Sequence, residues 1–376
     1  MGLFPRRRRK LNVFRVFVYA FALWILVDLL QYFGLRVKSR QQNPDAQPKR
    51  SETFYIASTH WNNEDVLRNH WNDQIVQIAE RFGPQNVFVS VYESGSWDDS
   101  KAVLRELDIK LNDLGVPHKI VLDPTTHQDE ISRPPAEAGW IRTSRGKKEL
   151  RRIPYLSGLR NLSLEPLLRL YDNGTRFDKV LFLNDVIFSI ADVATLLSTN
   201  DGHYAAACSL DFSKKAPAFY DTFALRDSEG HEAVMATWPY FRSSASRNAL
   251  KARRPVPVRS CWNGMVAMDA KPFYASDRPL RFRAIADSLA ELHLEGSECC
   301  LIHEDNGLTA KDGVWLNPNV RVRYQKEAYD RMKEADGCAD GLLRTTSSSV
   351  SSDRESLAGR DMVVMKPEAR LAYTVL

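Results

Sequence analysis

The chain has no P-loop, no GxGxxG, no GxSxG and no HExxH, so the usual kinase, dehydrogenase, serine hydrolase and zincin solutions lack their sequence marks. Histidine is scarce. Eight in 376 residues, with no HxH pair, are too few clustered ligands for a two-metal phosphodiester hydrolase. Cysteine is scarcer: Cys208, Cys261, Cys299, Cys300 and Cys338 show no CxxC spacing, which argues against zinc but allows a disulfide with at least one thiol left over. A basic body is missing too. The formal charge is +5, yet nine of the 52 Lys/Arg and only one acidic residue, Asp28, fall within residues 1–40, so the remainder is slightly acidic. That gives no support to nucleic-acid binding.

The terminus that holds the charge is informative. RRRRK at 6–10 precedes VFVYAFALWILV at 16–27, and the apolar character continues to residue 35, broken by Asp28 and Gln31. About 20 apolar residues are needed to cross a bilayer as a helix. The basic flank favours a cytoplasmic N-terminus, and no small-residue cleavage site follows the apolar run. The expected organisation is therefore a basic tail (1–15), a transmembrane signal anchor (16–35), a polar stem (36–50), a lumenal folded domain (51–335) and a tail (336–376) containing the low-complexity stretch TTSSSVSSDRES. Two sequons suit a lumenal domain: Asn173 in a glycine-containing turn, and Asn161, which falls in a helical pattern.

Within the body, β-rich runs alternate with helical patterns. TFYIAST (53–59), NVFVSVYES (86–94), HKIVLD (118–123) and KVLFLND (179–185) read as strands, separated by helices over 64–83, 99–115 and 160–174. The expected fold is α/β, a mostly parallel sheet with helices on both faces. Ligands of such sheets sit beyond the carboxyl ends of the strands, where Asn184 and Asp185 fall. The second half is less regular. Apolar runs at 204–212, 260–270 and 299–307 end in or carry polar groups, as walls of an acceptor or metal site would.

Asp185, following four apolar residues, is either the opening of a turn or a ligand for a hard cation such as Mn²⁺ or Mg²⁺. Asn184 can add an amide oxygen. His303 is a candidate second ligand, and Asp305 follows it; a histidine at the end of an apolar run can equally be structural. Glu298, if buried beside the site, suits proton transfer. Asp211 resembles Asp185 in placement, with helix capping as its plain alternative. Trp262 can stack on a sugar or pack in the core, and Asn263–Gly264 permits a tight turn and close ligand approach. Among the basic residues of 133–160, Arg160 stands out at the start of a helical pattern.

The segments YIASTHWNNEDVL, LRNLSLEPL, VLFLNDVIF, PVPVRSCWNGMVAMDA and SECCLIHEDNG together resemble the fungal capsule-associated mannosyltransferases, glycosyltransferase family 69, over roughly residues 54–324. The resemblance implies a single-pass type II Golgi membrane enzyme with a GT-A-like fold. It implies transfer of mannose from GDP-mannose to an α-1,3 linkage on a mannose-containing glycan, with a divalent metal and retention at the anomeric carbon. Such folds hold the nucleotide where Ser58, Thr59 and Asn62 fall; with the residue readings above, the nucleotide is also expected near Arg160 and Asn184, the metal at Asp185 and His303, and the acceptor near Trp262, Asn263 and Gly264. Asp211, Glu298 and Asp305 are the catalytic candidates. Many GT-A enzymes carry Asp-x-Asp at the place where this chain has Leu183-Asn184-Asp185, so one acid is missing or displaced. The competing expectation is a membrane-tethered glycan-assembly protein that keeps the fold without the activity.

Overall fold

A computed structural model describes residues 52–212, 220–233 and 238–334, with five isolated positions between 19 and 26. Apart from those five positions the expected anchor lies outside the described residues, as do the stem, the C-terminal tail and Cys338. Among the described residues no helix is long and apolar enough to cross a membrane.

Nine strands form one sheet. In chain order they are β1 (Phe54–His60), β2 (Val87–Ser94), β3 (His118–Asp123), β4 (Lys179–Leu183), β5 (Ala206–Phe212), β6 (Arg226–Asp227), β7 (Val256–Ser260), β8 (Met265–Asp269) and β9 (Val314–Arg323). Their order across the sheet is β3-β2-β1-β4-β8-β5-β9-β7-β6. The first four are mutually parallel, as the alternation of strands and helices predicts. Only β8 and β7 run against the rest.

Alternation along each strand divides the core in two. In β4, Val180 and Phe182 face one cluster while Leu181 and Leu183 face the other, because successive side chains point to opposite sides. Helices α1 (Asn72–Phe82), α2 (Ser100–Asp113) and α4 (Ile190–Leu197) cover one face with Ile75, Leu104 and Leu196. Helices α3 (Arg152–Asp172), α5 (Ser244–Lys251) and α6 (Glu298–Glu304) cover the other with Leu164, Leu250 and Ile302. Both faces are thus dry, and the polar groups of the sheet collect at its ends.

Three sequence expectations change. Helix α3 begins at Arg152, eight residues before the predicted start, because Pro154 falls in its first turn, where a missing N–H costs no hydrogen bond. Arg160 therefore lies mid-helix. The run 299–304 is helical: Ser297 Oγ accepts from the Cys299 N–H (3.1 Å) and caps it, so His303 sits on α6. The run 260–270 is two elements, β7 ending at Ser260 and β8 starting at Met265, with Cys261 to Gly264 forming the turn between them. Cys261 is disulfide-bonded to Cys208 of β5, which staples this turn to the sheet.

Candidate active site

Four chain segments converge beyond the carboxyl ends of β1, β4 and β5. The first follows β1. Asn63 Oδ1 accepts from the Trp61 N–H (3.0 Å), and this fixes the amide so that its Nδ2 donates to Asp185 Oδ2 (3.1 Å). His60 Nδ1 lies 3.2 Å from the same Asn63 oxygen, and its Nε2 lies 2.8 Å from Ser58 Oγ, which is itself 2.6 Å from the Leu183 carbonyl. Ser58 and His60 are buried, so this chain of contacts braces the β4 end from below. Asp185 is half-buried. Burial raises its pKa above the ordinary carboxylate range, while its hydrogen bonds and the nearby Arg160 pull it back.

The second segment is the turn after β7. Trp262 is 2% exposed, with the Arg160 guanidinium 4.5 Å over its ring and Phe182 and Phe282 against it, so no indole face is open to a sugar. Its Nε1–H donates to Asn184 Oδ1 (3.1 Å), which commits that amide oxygen to the interior. Asn263 is buried in the left-handed region (φ 53°), its Nδ2 donating to Asp211 Oδ1 (3.1 Å) and to the Asp221 carbonyl (3.2 Å). Gly264 (φ 86°) has no room for a side chain, since a Cβ would lie 2.8 Å from Val322 Cγ2. The acceptor role expected of these three residues does not fit: all are interior, and they shape the wall behind the carboxylates.

Asp211, inside β5, caps no helix. It is fully buried and accepts from Asn263 and from the Tyr324 hydroxyl (2.8 Å). Asp221, which sequence reasoning passed over, approaches it: its side chain accepts from the N–H groups of Phe223 and Ala224, and its backbone N–H donates to Asp211 Oδ1 (3.2 Å). Burial pushes Asp211 up to about 7, and the negative charge of Asp221 adds to the shift. Asp221 is raised as well, chiefly by burial. Because Asp211 holds its proton more tightly folded than unfolded, its contribution to stability is present at low pH and lost as pH rises through about 7. The parent's Tm is accordingly expected to fall as pH rises from about 4 to about 7, and Asp211→Asn to flatten that fall; thermal melts across that range check it.

Glu298 and Arg160 form a pair. Glu298 is buried on α6 and accepts from Arg160 Nε (3.1 Å), so neither is free for the separate roles expected of them. His303 is fully buried, its Nε2 2.7 Å from the Cys261 carbonyl, and burial lowers its pKa to about 4. Among the described residues no group of three His, Cys, Asp or Glu side chains joins it to Asp185. The group it does join, with Cys208 and Cys261, has both sulfurs in the disulfide. His303 is thus a packed histidine beneath the disulfide. Asp305 points outward, in a bidentate pair with Arg283 (2.6 and 2.9 Å). Asn161 has its amide occupied by both backbone groups of Phe282 (2.8 and 3.0 Å), whereas Asn173 is exposed at the end of α3. Thr59 and Asn62 are half-buried, at and just past the end of β1. Asn62, also left-handed (φ 50°), ties the loops after β1 and β2 by accepting from the Trp97 N–H (2.8 Å).

The model of the family described as Cryptococcal mannosyltransferase 1 matches residues 53–305, the stretch that builds this site. The chain belongs to that family. A curated relative, alpha-1,3-mannosyltransferase CMT1 of Cryptococcus neoformans var. neoformans serotype D, is 25% identical over 297 residues, covering 71% of this chain and 58% of its own length. The chain thus spans under two thirds of the relative it matches. Among solved structures, S. aureus TarS 1-349 superposes with a TM-score of 0.38 at 12% identity, covering 72% of this chain and 60% of TarS. Mannosyltransferase PcManGT of Pyrobaculum calidifontis, in complex with GDP-Man and Mn²⁺, gives 0.36 at 12% identity, covering 81% and 66%. At such scores these likenesses decide nothing about the site. Within the matched stretch Asp185 follows the carboxyl end of β4 and Asp211 lies near that of β5, and of the two Asp185 is the less buried.

Proposed function

We propose that the protein is a metal-dependent mannosyltransferase of the Golgi membrane, single-pass type II, that moves mannose from GDP-mannose to a mannose-containing glycan with an α-1,3 linkage. The observation that carries this reading is Asp185: a half-buried carboxylate just past the carboxyl end of β4, aimed by the Asn63 amide, within the stretch that defines the family. The name of the curated relative supports mannose and the α-1,3 linkage, and the family resemblance supports the donor and the compartment. A GT-A-like fold accords with the parallel β1–β4 half.

A divalent cation fits the residues present. The available donor is an oxygen, the carboxylate has one oxygen held by Asn63, the Asn184 amide oxygen accepts from Trp262, and His303 lies with the Cys208–Cys261 disulfide. One protein carboxylate with open positions suits Mn²⁺ or Mg²⁺ rather than zinc. Bound there, such an ion would neutralise the charge that develops on a diphosphate leaving group. The remaining work belongs to the chain. Asn63 and His60 hold Asp185 in place. Burial raises Asp211 to about 7 and shifts Asp221 in the same direction, so this interior pair favours its protonated form behind Asp185. Asn263 and Tyr324 hold that carboxyl pair, and the Arg160–Glu298 pair walls the site from solvent. An α-linked donor giving an α-linked product means retention.

The test is transfer of labelled mannose from GDP-mannose to a mannose acceptor, expected with Mn²⁺ and lost on EDTA, with other nucleotide sugars inactive. Transfer at full rate in EDTA would overturn the metal reading. A second reading, a non-catalytic glycan-assembly protein, is favoured by Leu183, a buried apolar side chain where Asp-x-Asp would put its first acid. Failure of the protein to bind GDP with Mn²⁺ would select it.

A further inference from the structure

Cys208, Cys261 and His303 form a group that the proposed transfer does not use. One ring nitrogen of His303 and the two sulfurs lie within 4.8 Å of one another, and all three residues are fully buried. They come from β5, the turn after β7 and α6, the cysteines 53 positions apart and His303 42 beyond Cys261, so no spacing motif announces them. The disulfide accounts for the sulfurs but not for the histidine. The Cys261 carbonyl, 2.7 Å from Nε2, can only accept, so Nε2 carries the ring proton; burial keeps the ring neutral, and Nδ1 is left with a bare lone pair. Among the described residues Nδ1 has no hydrogen-bond partner. A buried acceptor without a donor is destabilising, so its position asks for a reason.

A metal-binding imidazole takes this same arrangement: one nitrogen donates to a backbone carbonyl, which fixes the tautomer and leaves the other nitrogen's lone pair for the ion. Two thiolates and an imidazole are soft enough for Zn²⁺, and three protein ligands leave its fourth tetrahedral position to water. Hard ions such as Mn²⁺ prefer oxygen and gain little from such donors. The other described thiols stand apart. Cys299 Sγ lies 3.4 Å from Glu298 Oε1 and Cys300 Sγ 3.2 Å from the Ala224 carbonyl, and neither belongs to the group.

We propose that the reduced protein binds one Zn²⁺ ion through Cys208 Sγ, Cys261 Sγ and His303 Nδ1. A dithiol opens the Cys208–Cys261 bond by exchange, leaves as its own disulfide and gives each protein sulfur a proton; Zn²⁺ then displaces those two protons to solvent as the two Zn–S bonds form. The disulfide and the ion are thus alternative staples between β5 and the turn. That turn carries Trp262, whose Nε1–H donates to Asn184, and Asn263, whose amide donates to Asp211, so the staple fixes the wall behind Asp185 in either redox state. Zinc binding here needs no sugar donor or acceptor and is independent of the transferase reading.

The experiment titrates the full-length chain with Co²⁺ and then Zn²⁺, before and after reduction by a phosphine, which does not tie up zinc. The reduced chain is expected to take up one Co²⁺ with a thiolate-to-cobalt charge-transfer band that Zn²⁺ abolishes and Mn²⁺ does not, and Zn²⁺ is expected to raise its Tm. The oxidised chain is expected to show no band. His303→Gln should weaken Zn²⁺ by more than about tenfold, the scale at which even a group that merely orients a ligating imidazole acts. The triple variant Cys299→Ala/Cys300→Ala/Cys338→Ala, which keeps only the proposed pair of thiols, should retain the band at the parent affinity. A reduced chain without the band, an equal band in the oxidised chain, a disulfide that the phosphine leaves closed, or a triple variant that melts with the parent but has lost the band each overturns the site. A His303→Gln protein that melts early yet takes up Zn²⁺ at the parent affinity assigns the histidine to packing and overturns its role as a ligand.

Discussion

Asp185→Ala is expected to lose metal-dependent mannose transfer by roughly a thousandfold, the scale of removing a principal electrostatic group from a reaction centre. Its fold should survive. Burial already disfavours the charge of Asp185, its side chain is hydrogen-bonded to the Asn63 amide, and it is only half-buried. The expected Tm is therefore equal to or slightly above the parent's, while Mn²⁺ binding by electron paramagnetic resonance disappears. Asn63→Ala provides the graded companion. Removing the group that orients a ligating carboxylate typically costs about tenfold or more in metal affinity, and the loss should be recovered by raising Mn²⁺, unlike that of Asp185→Ala. Undiminished transfer by Asp185→Ala would remove this residue from the metal assignment.

The second large effect is on stability. Arg160→Leu leaves the Glu298 carboxylate buried without its cation, because the guanidinium is its ion-pair partner and the helix around it supplies only Ser297 and Cys299. Breaking a buried pair by removing one member costs about 3–5 kcal/mol, and the contact of the guanidinium with Trp262 is lost as well. The double variant Arg160→Leu/Glu298→Leu should recover most of that loss, since removing both charges removes the uncompensated one. Urea denaturation of the four proteins of this cycle measures the coupling. A double variant as unstable as Arg160→Leu would show that the packing on Trp262, rather than the pair, holds α3 to α6.

These effects separate what local sequence can say from what it cannot. The four parallel strands were legible because each is a short apolar, β-branched run set off by turns and amphipathic helices, a pattern that depends on neighbours along the chain. Asp185 was legible for the same reason: an amide and a carboxylate, Asn184 and Asp185, that follow four core residues mark a strand end. The early start of α3 was hidden by Pro154, whose cost vanishes in a first turn, and the helicity of 298–304 was hidden because a seven-residue apolar segment carries no decisive period. Asp221 had no local mark at all. It sits in an irregular segment and gains its meaning from Asp211, ten residues away, and Asn263, 42 away.

By itself the sequence determined the fold class, the edge of the sheet that carries the polar groups, the family resemblance and the single acid at the end of β4. The tertiary structure alone decided the partners. It turned Trp262 and His303 inward, paired Arg160 with Glu298, sent Asp305 to the surface and gave Asp185 its support in Asn63. The physical reason is that burial and charge pairing are properties of the space around a side chain. That space is built by segments more than a hundred residues apart, as Asn63 and Asp185 are, and no window of sequence contains both.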